Sequence, residues 1–95
     1  MQLHLYYSGN VQGIGFRYTV MAIADDLNVR GWVRNLRDGR VELFAQADQD
    51  ALNAFLERIN QRFSGYITET KTAEGQAYSS RQEGEDEPRG FQIRF

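Results

Sequence analysis

The sequence contains no cysteine, and that absence removes several classes of explanation at once. Disulfide staples, a thiolate nucleophile and a cysteine-based metal site are all excluded. The single histidine, His4, rules out a histidine-rich zinc or iron centre within one chain. No metal or other cofactor is expected. No apolar run approaches the roughly 20 residues that span a bilayer, and the opening MQLHLYYSG lacks the basic start and long apolar stretch of a signal peptide. The expectation is a cytoplasmic chain with no membrane role, a setting that zero cysteines permit.

Positive charge is also of one kind, because Lys71 is the only lysine among 11 basic residues. Arginine suits planar, bidentate contact with carboxylate or phosphate, and Arg17, Arg30, Arg34, Arg37 and Arg40 crowd into one short stretch. That points to a local anion site, while a net charge of −2 argues against general nucleic-acid binding. The acidity is localised too: Glu74, Glu83, Glu85, Asp86 and Glu87 face only Arg81 and Arg89 in residues 72–89.

Ninety-five residues make one domain, 1–95. A chain this short buries only about 60–65 % of its unfolded surface, so without staples it needs an efficient two-layer core. A composition of 41 % hydrophobic and 13 % aromatic residues suffices for one.

Residues 2–7 alternate, with Leu3, Leu5 and Tyr7 on one side and His4 and Tyr6 on the other, which predicts a half-buried strand. Phe16, Val20, Ile23, Ala24 and Leu27 then recur at helical spacing, and Asn28 tolerates the left-handed conformation that ends a helix. Residues 30–36 and 40–47 read as two strands joined at Asp38-Gly39, a two-residue hairpin signal. Asp48 is placed to cap a second helix, whose buried stripe is Leu52, Phe55, Leu56, Ile59 and Phe63. Residues 66–72 suit an edge strand, and Phe91, Ile93 and Phe95 alternate in a last strand. The polar stretch before it reads as a long exposed connection. The order β-α-β-β-α-β predicts an α+β, ferredoxin-like split βαβ fold, an antiparallel sheet with two helices on one face. That fold by itself names no function.

The segment Gly9-Asn10-Val11-Gln12-Gly13-Ile14-Gly15-Phe16-Arg17 lies between a strand and a helix start. Backbone N–H groups have no helical partner there, and the helix dipole favours negative charge. Glycines let consecutive N–H groups converge on one anion, and Arg17 can add a bidentate grip. The spacing alone equally allows a glycine-rich turn beside a surface arginine. It is neither a P-loop, since no Gly-Lys-Ser/Thr follows, nor a dinucleotide fingerprint, since the third glycine is missing.

This segment resembles the acylphosphatase signature Gly-x-Val-Gln-Gly-Val-x-Phe-Arg, matched by Gly9, Val11, Gln12, Gly13, Phe16 and Arg17, with Ile14 in place of valine. A second block, Gly31-Trp32-Val33-Arg34-Asn35 followed by Asp38-Gly39 and Val41-Glu42, is similar to the family's other motif, and residues 90–95 resemble its last strand. The sequence departs from the family at Asn10, where many relatives carry a basic residue, at Arg37, often a proline, and in the longer, more acidic stretch 65–89.

The resemblance implies a ferredoxin-like fold and metal-independent hydrolysis of the carboxyl–phosphate bond of acyl phosphates. It carries the catalytic arginine onto Arg17 and the catalytic asparagine onto Asn35. It assigns the phosphate-binding backbone amides to Gln12, Gly13, Ile14, Gly15 and Phe16. Without the resemblance, Asn35 reads as a polar residue beside a turn. No general base is evident: His4 reads as a solvent-facing or partly satisfied strand histidine, and the resemblance offers the substrate phosphate as proton acceptor. Trp32 and Phe44 read as sheet-packing groups, with Trp32 also open to walling the pocket, and Arg30, Arg34, Arg37 and Arg40 read as solvated charges of the hairpin sooner than as groups that steer anionic substrates. The expected partner is a small-molecule acyl phosphate, with no nucleic acid and no membrane, and the expected state is a monomer. Two rival readings are a non-catalytic phosphate-binding module, such as occurs inside larger carbamoyl-transfer proteins, and a single-stranded RNA binder. Retention of Arg17 and Asn35 in a chain that stands alone and ends at its last strand disfavours the first. Net negative charge disfavours the second.

Overall fold

The computed structural model describes residues 1–73 and 90–94. The acidic stretch read above as an exposed connection lies, from 74 to 89, outside the described residues, as does Phe95. The elements are β1 (Gln2–Gly9), α1 (Phe16–Asp26), β2 (Arg30–Asn35), β3 (Val41–Gln46), α2 (Gln49–Phe63), β4 (Ile67–Thr72) and β5 (Phe91–Arg94).

Alternation along the strands makes the two faces of the sheet unlike. Leu5 and Tyr7 of β1, Val33 of β2, and Val41, Leu43 and Ala45 of β3 are buried on the side covered by the helices. They meet Phe16, Val20, Ile23 and Ala24 of α1 and Leu52, Phe55, Ile59 and Phe63 of α2, the helical stripes expected from the sequence. Rings tie the layers together: Tyr7 contacts Phe16 at 5.4 Å, Phe16 contacts Phe63 at 4.6 Å, and Phe55 contacts Phe91 at 5.9 Å. Each fully buried side chain of this kind contributes about 1.5–3 kcal/mol. Asn28 takes φ +58, the left-handed conformation expected just past α1.

The strand order is β4-β1-β3-β2-β5. β1 and β2 both pair antiparallel with β3, so they run in the same direction and their carboxyl ends emerge at the same end of the sheet. β4 forms one edge, antiparallel to β1, and is exposed along nearly its whole length.

Two expectations are corrected. The sheet is mixed rather than wholly antiparallel, because β5 joins the far edge parallel to β2, with Gly31 opposite Phe91 and Val33 opposite Ile93. Alternation in residues 91–95 marks a strand but carries no information about direction. The β2–β3 turn is also longer than the two-residue signal implied. Leu36 N–H donates to Arg40 O at 2.8 Å, which closes a three-residue loop of Arg37, Asp38 and Gly39. Gly39 takes φ +97, as a residue ending such a loop must.

The face opposite the helices carries a row of unlike groups. Register places Tyr6 beside Glu42 and Glu42 beside Arg34, with His4, Phe44 and Trp32 in the neighbouring row. Glu42 is the buried charged residue of this face: Arg34 Nε donates to its Oε1 at 2.7 Å and His4 Nε2 lies 2.7 Å from its Oε2. Burial, and secondarily the Glu42 carboxylate, raises the Tyr6 phenol above its usual range, so it stays protonated and points its O–H at Glu42. Trp32 and Phe44 stack at 6.0 Å, the packing role expected of them.

Candidate active site

The chain leaves β1 at Gly9, where the pairing with β4 shifts register, and Asn10 N–H is anchored on Tyr66 O at 2.9 Å. The following loop is pinned from beneath by apolar side chains. Val11 and Phe16 are buried, and Ile14 packs partly buried against the core. Between these anchors Gly13 and Gly15 both take φ +81 and stand exposed, in a conformation that costs a residue with a Cβ roughly 1–2 kcal/mol. Among the described residues, the N–H groups of Gln12, Gly13, Ile14, Gly15 and Phe16 donate to no backbone carbonyl.

Gly15 is the N-cap of α1 and has no side chain to offer the helix, and no acidic residue occupies the first turn. Donors without a partner among the described residues, together with the positive end of the dipole, form an arrangement that suits an external anion. Arg17, the second helical residue, adds a formal charge at the same place.

Asn35 reaches this site through topology. It ends β2 on the same side as Gly31 and Val33, at register with Val41, which itself faces Tyr7 near the end of β1. A cleft of about 210 Å³ is lined by Val11, Gly13, Gly15, Phe16, Arg17, Tyr18 and Asn35. That is below the ~300–1,000 Å³ typical of drug-sized ligands and suits a small molecule. Asn35 Oδ1 is buried and accepts no hydrogen bond among the described residues. A buried acceptor without a partner costs about 1–3 kcal/mol, which a hydrogen-bond donor entering the cleft can relieve.

Of the residues singled out in the sequence, Arg17, Asn35, Gly13, Gly15 and Phe16 line the cleft together. Gln12 and Ile14 do not: the Ile14 side chain turns to the core, and Gln12 reaches to the β2–β3 hairpin. His4 lies on the opposite face of the sheet, against Glu42. Among the clustered arginines only Arg17 lines the cleft. Arg34 is held by Glu42 rather than being a simple solvated charge, and Arg40 pairs with Asp38 at 2.9 Å. Two lining residues escaped the sequence reading. Val11 was visible only as part of a motif, whereas Tyr18, 60 % exposed at the mouth, had a usable signal in its place on the first turn after the glycine loop.

Loop amides without a backbone acceptor among the described residues, a helix N-terminus, one guanidinium and one carboxamide surround a small cleft of this α+β protein, an arrangement that suits an anion. The acylphosphatase family model matches residues 3–93, and the chain belongs to that family. It is 46 % identical over 66 residues to the acylphosphatase of Methanospirillum hungatei, covering 70 % of this chain and 72 % of that one. It is 40 % identical over 81 residues to the acylphosphatase of Bacillus subtilis, covering 79 % and 89 % respectively. The crystal structure of acylphosphatase from Bacillus subtilis superposes with a TM-score of 0.77 at 32 % identity, covering 99 % of this chain and 98 % of that one.

Proposed function

We infer that this chain is an acylphosphatase, hydrolysing the carboxyl–phosphate bond of small acyl phosphates to a carboxylate and inorganic phosphate. Family membership and the named relatives support the activity. The observation that carries the assignment of roles is that Arg17 and Asn35, from different elements, line one cleft with the glycine loop.

An acyl phosphate has a good leaving group, so the protein need supply no strong nucleophile. Catalysis then rests on holding the phosphoryl group, stabilising charge on its oxygens and placing a water in line. Arg17 and the N–H groups of Gln12, Gly13, Ile14, Gly15 and Phe16 take the phosphoryl oxygens, usually the largest single contribution. Asn35 orients the attacking water, a positioning effect rather than proton removal. The water oxygen bonds to phosphorus as the bond from phosphorus to the acyl oxygen breaks. The carboxylate leaves with the electron pair, and the water's proton passes to a phosphoryl oxygen. His4, across the sheet, takes no part. The chain acts as a monomer in the cytoplasm, a setting its cysteine-free composition permits; no helix among the described residues is long and apolar enough to cross a membrane.

Phosphate release from benzoyl phosphate, in the presence of a chelator, tests this. Asn35→Ala folds but loses about two or more orders of magnitude in kcat, the size expected for removing a group aimed at the transition state. Arg17→Ala loses rate and also the inhibition by inorganic phosphate. Phosphate inhibition unchanged in Arg17→Ala would remove the guanidinium from the site.

A further inference from the structure

The Gln12 side chain does something its place in the glycine loop does not require. Its Nε2 donates to two backbone carbonyls, Leu36 O and Arg40 O, both at 2.9 Å. These carbonyls belong to the residue pair that closes the β2–β3 turn, since Leu36 N–H also donates to Arg40 O at 2.8 Å. Leu36 directly follows Asn35. Both N–H donors of one carboxamide are therefore committed to the mouth of this turn, one to Leu36, which follows the candidate catalytic asparagine, and one to its pairing partner Arg40, 24 and 28 positions away in sequence. Gln12 itself is half-buried, and Gly13, the next residue, lines the cleft.

We propose that Gln12 is a positioning residue: its carboxamide is a strut that fixes the phosphate-holding loop in register with Asn35. The inference rests on the roles given above to the loop and to Asn35. The need for such a strut follows from the layout. The loop hangs from β1 and α1, Asn35 hangs from the end of β2, and β3 lies between the two strands. Phosphorus is held by one body and the water by the other, so the in-line distance depends on how firmly the two are tied. A misplacement of about 1 Å at a reacting centre costs on the order of 100-fold in rate. Besides Gln12, the core beneath the loop supports this end of the sheet, but apolar packing does not set polar registry as two directed hydrogen bonds do. The backbone N–H of Gln12 is a separate group from its side chain, so the strut and the phosphate contact do not compete.

The test is a double-mutant cycle on benzoyl phosphate hydrolysis, with thermal unfolding as the check on folding. Gln12→Met keeps length and volume but removes both donors. It is expected to lower kcat by about 10- to 100-fold while the inhibition constant for inorganic phosphate changes less than about threefold. If Gln12 acts through Asn35, then Gln12→Met combined with Asn35→Ala is no slower than Asn35→Ala alone. Gln12→Glu supplies a second, isosteric variant. Its carboxylate repels both carbonyls, but once protonated it regains one donor, so its kcat relative to wild type rises as pH falls toward about 4–5, whereas that of Gln12→Met does not. Additive losses in the cycle, an equal loss of phosphate affinity, or full activity in Gln12→Met each overturn the strut. Wild-type turnover in Asn35→Ala would instead sink the underlying role of Asn35, an outcome distinguishable because it needs no Gln12 variant.

Discussion

The two helices begin in opposite ways. At α2 the chain spends a side chain on the helix: Asp48, in extended conformation at ψ 167, accepts from Ala51 N–H at 2.8 Å, and Asp50 stands in the first turn. Both carboxylates complement the positive end of the helix dipole. At α1 no cap is present. Gly15 occupies the N-cap in the left-handed conformation, φ +81 and ψ 15, and the first turn carries Arg17 in place of an acid. One start is finished by a side chain of the protein, whereas the other has no side-chain cap and suits the anion proposed for it. Both helices bury an apolar stripe in the core, with Phe16 and Val20 buried in α1 and Leu52 and Phe55 in α2. Their starts differ in how the first N–H groups are met. The proposed site thus combines an uncapped, cation-bearing helix start with a buried carboxamide oxygen that has no partner among the described residues, in a fold that caps its other helix in the ordinary way.

The contrast can be broken most severely at the loop that opens α1. Gly13 takes φ +81 with no atom of the described residues within 4 Å of where a Cβ would stand, so Gly13→Ala meets backbone strain but no clash among them. It is expected to cost about 1–2 kcal/mol of stability and to weaken inhibition by phosphate as its N–H turns away, measured by urea unfolding and by competition. Retained phosphate affinity would show that this amide does not hold the anion. A milder change makes the start of α1 resemble that of α2. Tyr18 is exposed at the cleft mouth, and Tyr18→Glu places a carboxylate in the first turn. Stability should rise by about 0.3–1 kcal/mol while KM for benzoyl phosphate rises about tenfold, corresponding to ~1.4 kcal/mol of added repulsion. A stabilised variant with unchanged KM would contradict an anion site at this helix end. The smallest effect is expected at α2. Asp48→Ala should cost about 1 kcal/mol in denaturation and leave kcat and KM as they are, because Asp48 is no part of the cleft.

Much of the helical layer was legible residue by residue. The stripe Leu52, Phe55, Leu56, Ile59 and Phe63 follows from helical periodicity, and all but half-buried Leu56 are fully buried. The Asp48 cap and the left-handed Asn28 were equally readable, since each is a preference of one residue in one local conformation. The site was legible only in pieces. The glycine loop and Arg17 were compatible with an anion site through local chemistry, with a plain glycine-rich turn equally open, and Asn35 was a polar residue beside a turn until the family resemblance singled it out. Glu42 shows the same limit. Flanked by Val41 and Leu43 it reads as an outward-facing charge, yet it is 6 % exposed because Arg34 and His4, from two different strands, close over it.

By itself the sequence determined what each short stretch prefers: which residues form strands or helices, where glycine permits φ near +81, where one helix is capped, and where an arginine follows a glycine-rich loop. Those outcomes depend on sterics and hydrogen bonds among near neighbours, so the residues carry them wherever they are. Only the tertiary structure decided what meets across the sheet. That includes the parallel arrival of β5, the meeting of Asn35 with the loop, and the reach of Gln12 to Leu36 and Arg40. Each of these depends on strand order and register, which the packing of the whole core selects and no local stretch encodes.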